Sequence, residues 1–206
     1  MLAVLRSWLF PPSCAGCDAP GPALCAACAP RATDAQHFWV DGIPAFALGA
    51  YEGALRRAIV AMKRGERDPL DAFASLLASA PLVGALVPLP TTRRRSAERG
   101  FDQSVALARR LAAARAVVCA ELLEKRGRPQ EGRSRRDRLA AVDRFRLRPL
   151  SVVPEAVTLL DDVSTTGATL HDAAFTLRRA GIEVRQIVVL ARAEPNRARR
   201  RSEVVP

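Results

Sequence analysis

The sequence predicts an α/β protein, a parallel sheet flanked by helices with a small four-cysteine module ahead of it. Three observations carry this. Apolar runs of strand length alternate with amphipathic runs of helical period, the pattern of strands joined by helical crossovers. About half of the 206 residues are hydrophobic, enough for one real core plus a small appendage. Cys14, Cys17, Cys25 and Cys28 form two C-x2-C pairs in a stretch rich in Pro and Gly.

The elements follow in order. Leu2, Leu5 and Leu9 share one face of a short helix over 1–10. This opening superficially resembles an export signal. Arg6 interrupts its apolar run, Pro11-Pro12 follow, and no small-residue cleavage site is evident, so a cytoplasmic protein is expected. No apolar run reaches the length of a membrane span. Residues 13–29 are the Cys/Pro/Gly-rich knot and 30–37 a variable linker. Residues 44–53 read as a strand entering a turn, and 54–63 as an amphipathic helix broken at Lys63–Arg67. A further helix is expected over 68–80, capped by Asp68. Residues 83–90 read as a buried strand stopped by prolines, 101–114 as a strong helix, and 116–122 as a short strand. The segment 125–148 holds nine arginines and too little apolar content to be core. A strand at 157–161, a helix at 169–180 and a strand at 181–193 complete the pattern. The division expected is therefore 1–36 for the short helix and a zinc-ribbon-like module, 37–193 for the α/β domain, and 194–206 for a basic tail.

Four thiolates at this spacing can surround one Zn2+ tetrahedrally. A segment so short cannot bury its own core, so the metal would supply folding energy. Paired disulfides or free thiols are the alternatives, and disulfides are disfavoured without an export signal. An all-cysteine site is closed, hence structural. Cys119 stands apart and reads as a buried core thiol.

The stretch 157–170, VTLLDDVSTTGATL, carries the most chemistry. Its apolar run reads as a parallel strand, and ligands bind beyond the carboxyl ends of such strands. Thr165, Thr166, Gly167, Ala168 and Thr169 have the small side chains, hydroxyls and helix-opening position of a phosphate cradle. It is not the ATP-binding P-loop, which needs Gly-Lys after the spacer. The acids Asp161 and Asp162 would repel a phosphate unless they serve another part of the ligand. Sugar hydroxyls, with Mg2+ nearby, satisfy them.

DDVSTTGAT resembles the 5-phosphoribosyl 1-pyrophosphate (PRPP) motif of type I phosphoribosyltransferases. The resemblance implies that fold. It implies that Asp161 and Asp162 hold the ribose hydroxyls, and that Thr165, Thr166, Gly167, Ala168 and Thr169 wrap the 5′-phosphate. Joined to the cysteine module, this motif resembles the ComF family, linked with bacterial competence and the uptake of single-stranded DNA. LFPPSCAGC is similar to the family's opening, and 87–112 to its second motif, with Asp102 where Asn is usual. The segment from Gln130 through Arg138 to Phe145 resembles a third motif, with Ala140-Ala141 where an Asn is usual. The resemblance implies PRPP with Mg2+, single-stranded DNA and a competence helicase as partners.

Charge agrees with an anionic partner. The net charge is +11 and the pI about 10.9. Lys63 and Lys125 are the only lysines among 32 basic residues. Such usage fits GC-rich coding, which explains the choice of Arg over Lys but not the excess of bases. Lys63 and Arg64 read as pyrophosphate ligands or helix-end cations. Arg93, Arg94, Arg95 and Arg99 follow a buried strand and read as pyrophosphate ligands or a solvated loop. Arg133, Arg135, Arg136 and Arg138 read as part of a loop closing over PRPP or as a phosphate-tracking strip for single-stranded DNA. Phe145 is the one aromatic there, which argues for backbone contact rather than base stacking. His37 and His171 show no ligand or catalytic pattern.

Three functions stay open at the level of sequence. The first is a ComF-like PRPP-binding protein that assists uptake or handling of single-stranded DNA. The second is a working phosphoribosyltransferase, in which Asp161 and Asp162 act catalytically and a nitrogen nucleophile displaces pyrophosphate. The third is a PRPP-sensing interaction protein without chemistry.

Overall fold

The structure is a computed structural model that describes residues 12–65, 68–91, 97, 101–125, 144–149 and 153–193. The helix expected over 1–10, the arginines 93–95 and 99, most of the arginine-rich segment and the tail 194–206 lie outside the described residues.

The longest apolar runs form the middle of the sheet. β1 (Gln36–Val40) and β2 (Ile43–Ala47) form an antiparallel hairpin, and β3 is Ala85–Pro88. β6 (Ala156–Ser164) and β7 (Glu183–Arg192) are the two long strands. The five-stranded order is β1-β2-β7-β6-β3, parallel except for the β1–β2 pair. Successive side chains of a strand point to opposite faces. Leu159 and Leu160 accordingly enter different cores, as do Val189 and Val188. Both faces being covered is why these strands read as continuous apolar runs rather than alternating ones.

One face packs against α1 (Gly53–Arg64), α2 (Leu70–Leu77) and α3 (Gln103–Arg115), through Leu55, Ile59, Phe73, Leu77, Leu107 and Leu111. The other packs against α4 (Ala168–Arg179), through Leu170, Ala173 and Leu177. The result is three layers, α/β/α, with the carboxyl ends of β2, β3, β6 and β7 opening on one edge.

Several sequence expectations need correction. The linker expected over 30–37 already contains a short 3-10 turn, Ala32–Asp34, and the start of β1. The strand expected over 116–122 is a single bridge, Cys119 to Leu86, beyond the edge of β3. The strand expected at 157–161 runs on to Ser164, because β7 continues to pair with it there. Asp68 accepts from the Leu70 amide at 3.1 Å, but the N-cap residue itself is Pro69. Cys119 is partly exposed rather than buried. The largest correction concerns the described ends of 125–148. The two flanks of this segment form a second, antiparallel hairpin, β4 (Leu123–Lys125) with β5 (Phe145–Leu147). Leu123 and Phe145 are each only 1 % exposed, in the α4-side core. Two core residues suffice because a hairpin supplies its own backbone hydrogen bonds.

The four-cysteine module does not stand apart. Cys14, Leu24 and Cys28 are buried in the same cluster as Leu55, Ala58 and Ile59 of α1. No helix among the described residues is long and apolar enough to cross a membrane.

Candidate functional site

At the carboxyl edge of the sheet lies a cleft of about 430 Å³. β6 brings Asp161 and Asp162 to its floor, and the last turn of α1 brings Lys63. The Lys63 Nζ sits 3.0 Å from Asp162 Oδ2. The Asp162 amide donates to Asp161 Oδ1 at 2.8 Å. Burial pushes the Asp161 carboxyl up from its ordinary 3.8 to about 7, and the neighbouring Asp162 charge adds to the rise. The Asp162 N–H and the charges of Lys125 and Lys63 offset part of it. One acid of the pair is thus held near neutrality while the other is ion-paired.

The loop after β6 turns at Gly167, whose φ of 76° lies in the left-handed region. A Cβ there would also stand 3.2 Å from Val40 Cγ1, a tight contact, so the backbone conformation and the space both favour glycine. Helix α4 begins at the next residue and receives no side-chain N-cap. Its first N–H groups carry the positive end of the helix dipole. The Ala168 amide has a long contact to Thr166 Oγ1 at 3.4 Å. Thr165 and Thr169 line the cleft. Thr166, Gly167 and Ala168 line a neighbouring hollow of about 550 Å³, shared with Trp39, His171 and Arg192. The structure therefore gathers Asp161, Asp162, Lys63, Thr165 and Thr169 at one place and sets the middle of the loop, Thr166 to Ala168, in the neighbouring hollow. Arg99, Arg133, Arg135, Arg136 and Arg138 lie outside the described residues.

Three further groups complete the cleft. Lys125 reaches it from the end of β4, 5.8 Å above the Phe145 ring. Both lysines of the chain therefore face one cleft, a signal present in the composition but legible only once the positions are known. Tyr51, the only tyrosine, lines the same space. Asp102 works on the backbone. Its Oδ1 accepts from the Ser104 and Val105 amides at 3.1 and 3.3 Å, and its Oδ2 accepts from Thr91 at 2.7 Å. One carboxylate thus caps α3 and pins the exit of β3 beside the cleft. Gln103, 3 % exposed, donates from Nε2 to the carbonyls of Met62 and Lys63 at 3.2 and 3.4 Å, fixing the end of α1. His171 borders the neighbouring hollow. It lies between Asp172 (3.4 Å) and Asp41 (3.7 Å) and stacks on Phe175.

The ligand atoms of Cys14, Cys17, Cys25 and Cys28 all lie within 4.8 Å of one another. Cys17 and Cys25 have their sulfurs 3.8 Å apart, and a tetrahedral Zn–S shell with bonds of about 2.3 Å needs edges of about 3.8 Å. Cys14 Sγ accepts from the Gly16 and Cys25 amides, each at 3.3 Å. Burial works to raise the Cys14 thiol, but the N–H groups of Cys25, Gly16 and Cys17 outweigh it and hold the group at about 6. Burial and the neighbouring thiols push Cys28 up to about 12. Only a cation at the centre makes four thiolates stable together, so the donor set fits a metal ion such as zinc.

Comparison with protein-family models and with curated proteins gives no match. What the cleft holds is therefore read from its own groups. A phosphate-bearing ligand suits the lysines and the uncapped helix end, and a ligand rich in hydroxyls suits the acid pair.

Proposed function

We propose that the cleft binds PRPP and that the chain is a ComF-like protein of type I phosphoribosyltransferase-like fold. The observation that carries this is the joint presence, in one cleft, of the Asp161–Asp162 pair, of Thr165 and Thr169 from the two ends of the loop, and of both lysines. Ribose hydroxyls donate to the acids, the loop and the α4 amides take the 5′-phosphate, and Lys63 and Lys125 face the pyrophosphate. Mg2+ supplies charge neutralisation on the pyrophosphate when bound. Zinc in the cysteine module is structural. The link to single-stranded DNA and a competence helicase follows from the family resemblance and the +11 charge.

A second reading, transfer to a nitrogen nucleophile, draws on Tyr51, an aromatic residue that lines the same cleft and could pack against a flat acceptor. In that reaction Asp161 and Asp162 stabilise the ribosyl cation as pyrophosphate leaves.

The test is ligand-dependent melting. PRPP with Mg2+ is expected to raise Tm, since a ligand that binds only the native state stabilises it. The D161A/D162A double variant is expected to keep its fold and lose the shift. An undiminished shift rejects the site. Pyrophosphate release that depends on an added nucleobase selects the transferase, and binding without release selects the non-catalytic reading.

A further inference from the structure

Helix α1 joins two sites at its opposite ends. Its N-cap residue, Glu52, makes no side-chain cap, so the helix start depends on other contacts. β7 supplies one, the Tyr51 amide donating to the Arg192 carbonyl at 2.8 Å, and the cysteine module supplies others. Arg57 Nε donates to the Gly16 carbonyl at 2.5 Å. A Cβ on Gly16 would stand 3.3 Å from Ala54 Cβ and 2.8 Å from Cys28 Cβ, so the turn between the first two ligands rests directly on the helix. Cys14 and Cys28, two of the four metal ligands, are packed in the same cluster as Leu55 and Ile59.

The other end of α1 is held just as tightly. Gln103 binds the carbonyls of Met62 and Lys63, and Lys63 reaches Asp162. Between the two ends run 12 residues, a rod of about 18 Å. Its buried side, from Leu55 to Met62, is packed along the whole length. Packed helices shift as bodies rather than deforming locally. A change at the module is therefore carried to Lys63.

We propose that metal binding at the four cysteines regulates the cleft, with α1 as the lever. The metal-loaded module holds α1 in the pose that presents Lys63, and loss of the metal loosens the helix and withdraws that amine. The effect on ligand rests on the reading of the cleft as a PRPP site. The coupling is reciprocal, so a ligand in the cleft tightens the hold on the metal.

The test uses the full chain, metal-loaded, as wild type and as Arg57→Met, alongside metal-stripped wild type. The substitution removes the bond to Gly16 and leaves the cysteines and the cleft residues intact. Zinc content is expected to stay at one per chain. Amides 61–65 are expected to exchange about tenfold faster, PRPP affinity to fall about tenfold, and PRPP to slow zinc transfer to a chelator about tenfold in wild type alone. Unchanged exchange at 61–65 in both perturbed samples overturns the lever, whether or not PRPP binds. Faster exchange with undiminished PRPP affinity overturns the regulation. Faster exchange with no PRPP binding even by metal-loaded wild type supports the lever and rejects the PRPP reading.

Discussion

Asp161 concentrates the electrostatics of the cleft in one side chain. Its carboxyl is raised to about 7 by burial and by Asp162. The ionised form is therefore costly in the folded chain. The sign follows from linkage: an acid whose folded pKa is raised contributes stability that is full below about pH 4, falls as pH rises towards 7, and stays lost above it. Asp161→Asn removes the charge and keeps an oxygen to accept the Asp162 amide. Thermal melts without ligand are expected to show the variant more stable than wild type at pH 8, with the gap closing near pH 4. A gap of the same size at both values would mean that Asp161 is ionised at little cost. Keeping so costly a carboxylate fits a group poised for a ligand, because functional sites trade stability for activity.

At the scale of elements, the β4–β5 hairpin does two jobs. Phe145 closes the core on the α4 side, and its ring underlies the Lys125 amine. Phe145→Ala is expected to cost about 3–5 kcal/mol in chemical denaturation, the usual range for a fully buried Phe. The same substitution removes the platform under Lys125, so PRPP affinity is expected to fall in the fraction that stays folded. The burial of Phe145 also bears on nucleic acid. A ring 1 % exposed cannot stack on a base. The cysteine turn is the second element with a single-residue dependence. Gly16→Ala would drive a methyl group against Cys28 Cβ and Sγ, 2.8 and 2.9 Å away. Elemental analysis is expected to find the metal lost from that variant.

At the scale of the whole molecule, the positive charge is the property that reaches beyond the cleft. If Arg133, Arg135, Arg136 and Arg138 track phosphates, affinity for single-stranded DNA falls with salt at a log–log slope of about −0.7 per neutralised phosphate. Replacing the four by Gln is expected to flatten that slope and to weaken binding with little dependence on base sequence. If these arginines close over PRPP instead, DNA affinity stays and PRPP affinity drops. A variant impaired in neither assay would mark them as a solvated face. The module and the α/β core share their packing, so loss of a cysteine ligand is expected to loosen α1 as well as residues 13–29.

Local chemistry made the elements and half of the cleft legible. The period of the apolar runs located α1, α3, α4 and the long strands to within a few residues, because helix and strand repeats are properties of neighbouring positions. The Asp161-Asp162 doublet and the Thr165–Thr169 loop were readable because strand, turn and helix start are contiguous in the chain. The cysteine cluster was readable because its ligands span only 15 residues. Everything that depends on distant segments meeting was decided by the tertiary structure. Lys125 gives no local sign of facing Asp161, and an arginine-rich segment gives none that Phe145 is core. Asp102 looked like a departure from a family pattern, yet its two oxygens hold three amides in place. The sequence by itself determined which pieces form and what chemistry they carry. The packing of sheet, hairpin and α1 decided which charges share a cleft, since a contact across the fold is set by the shape of the core between its partners.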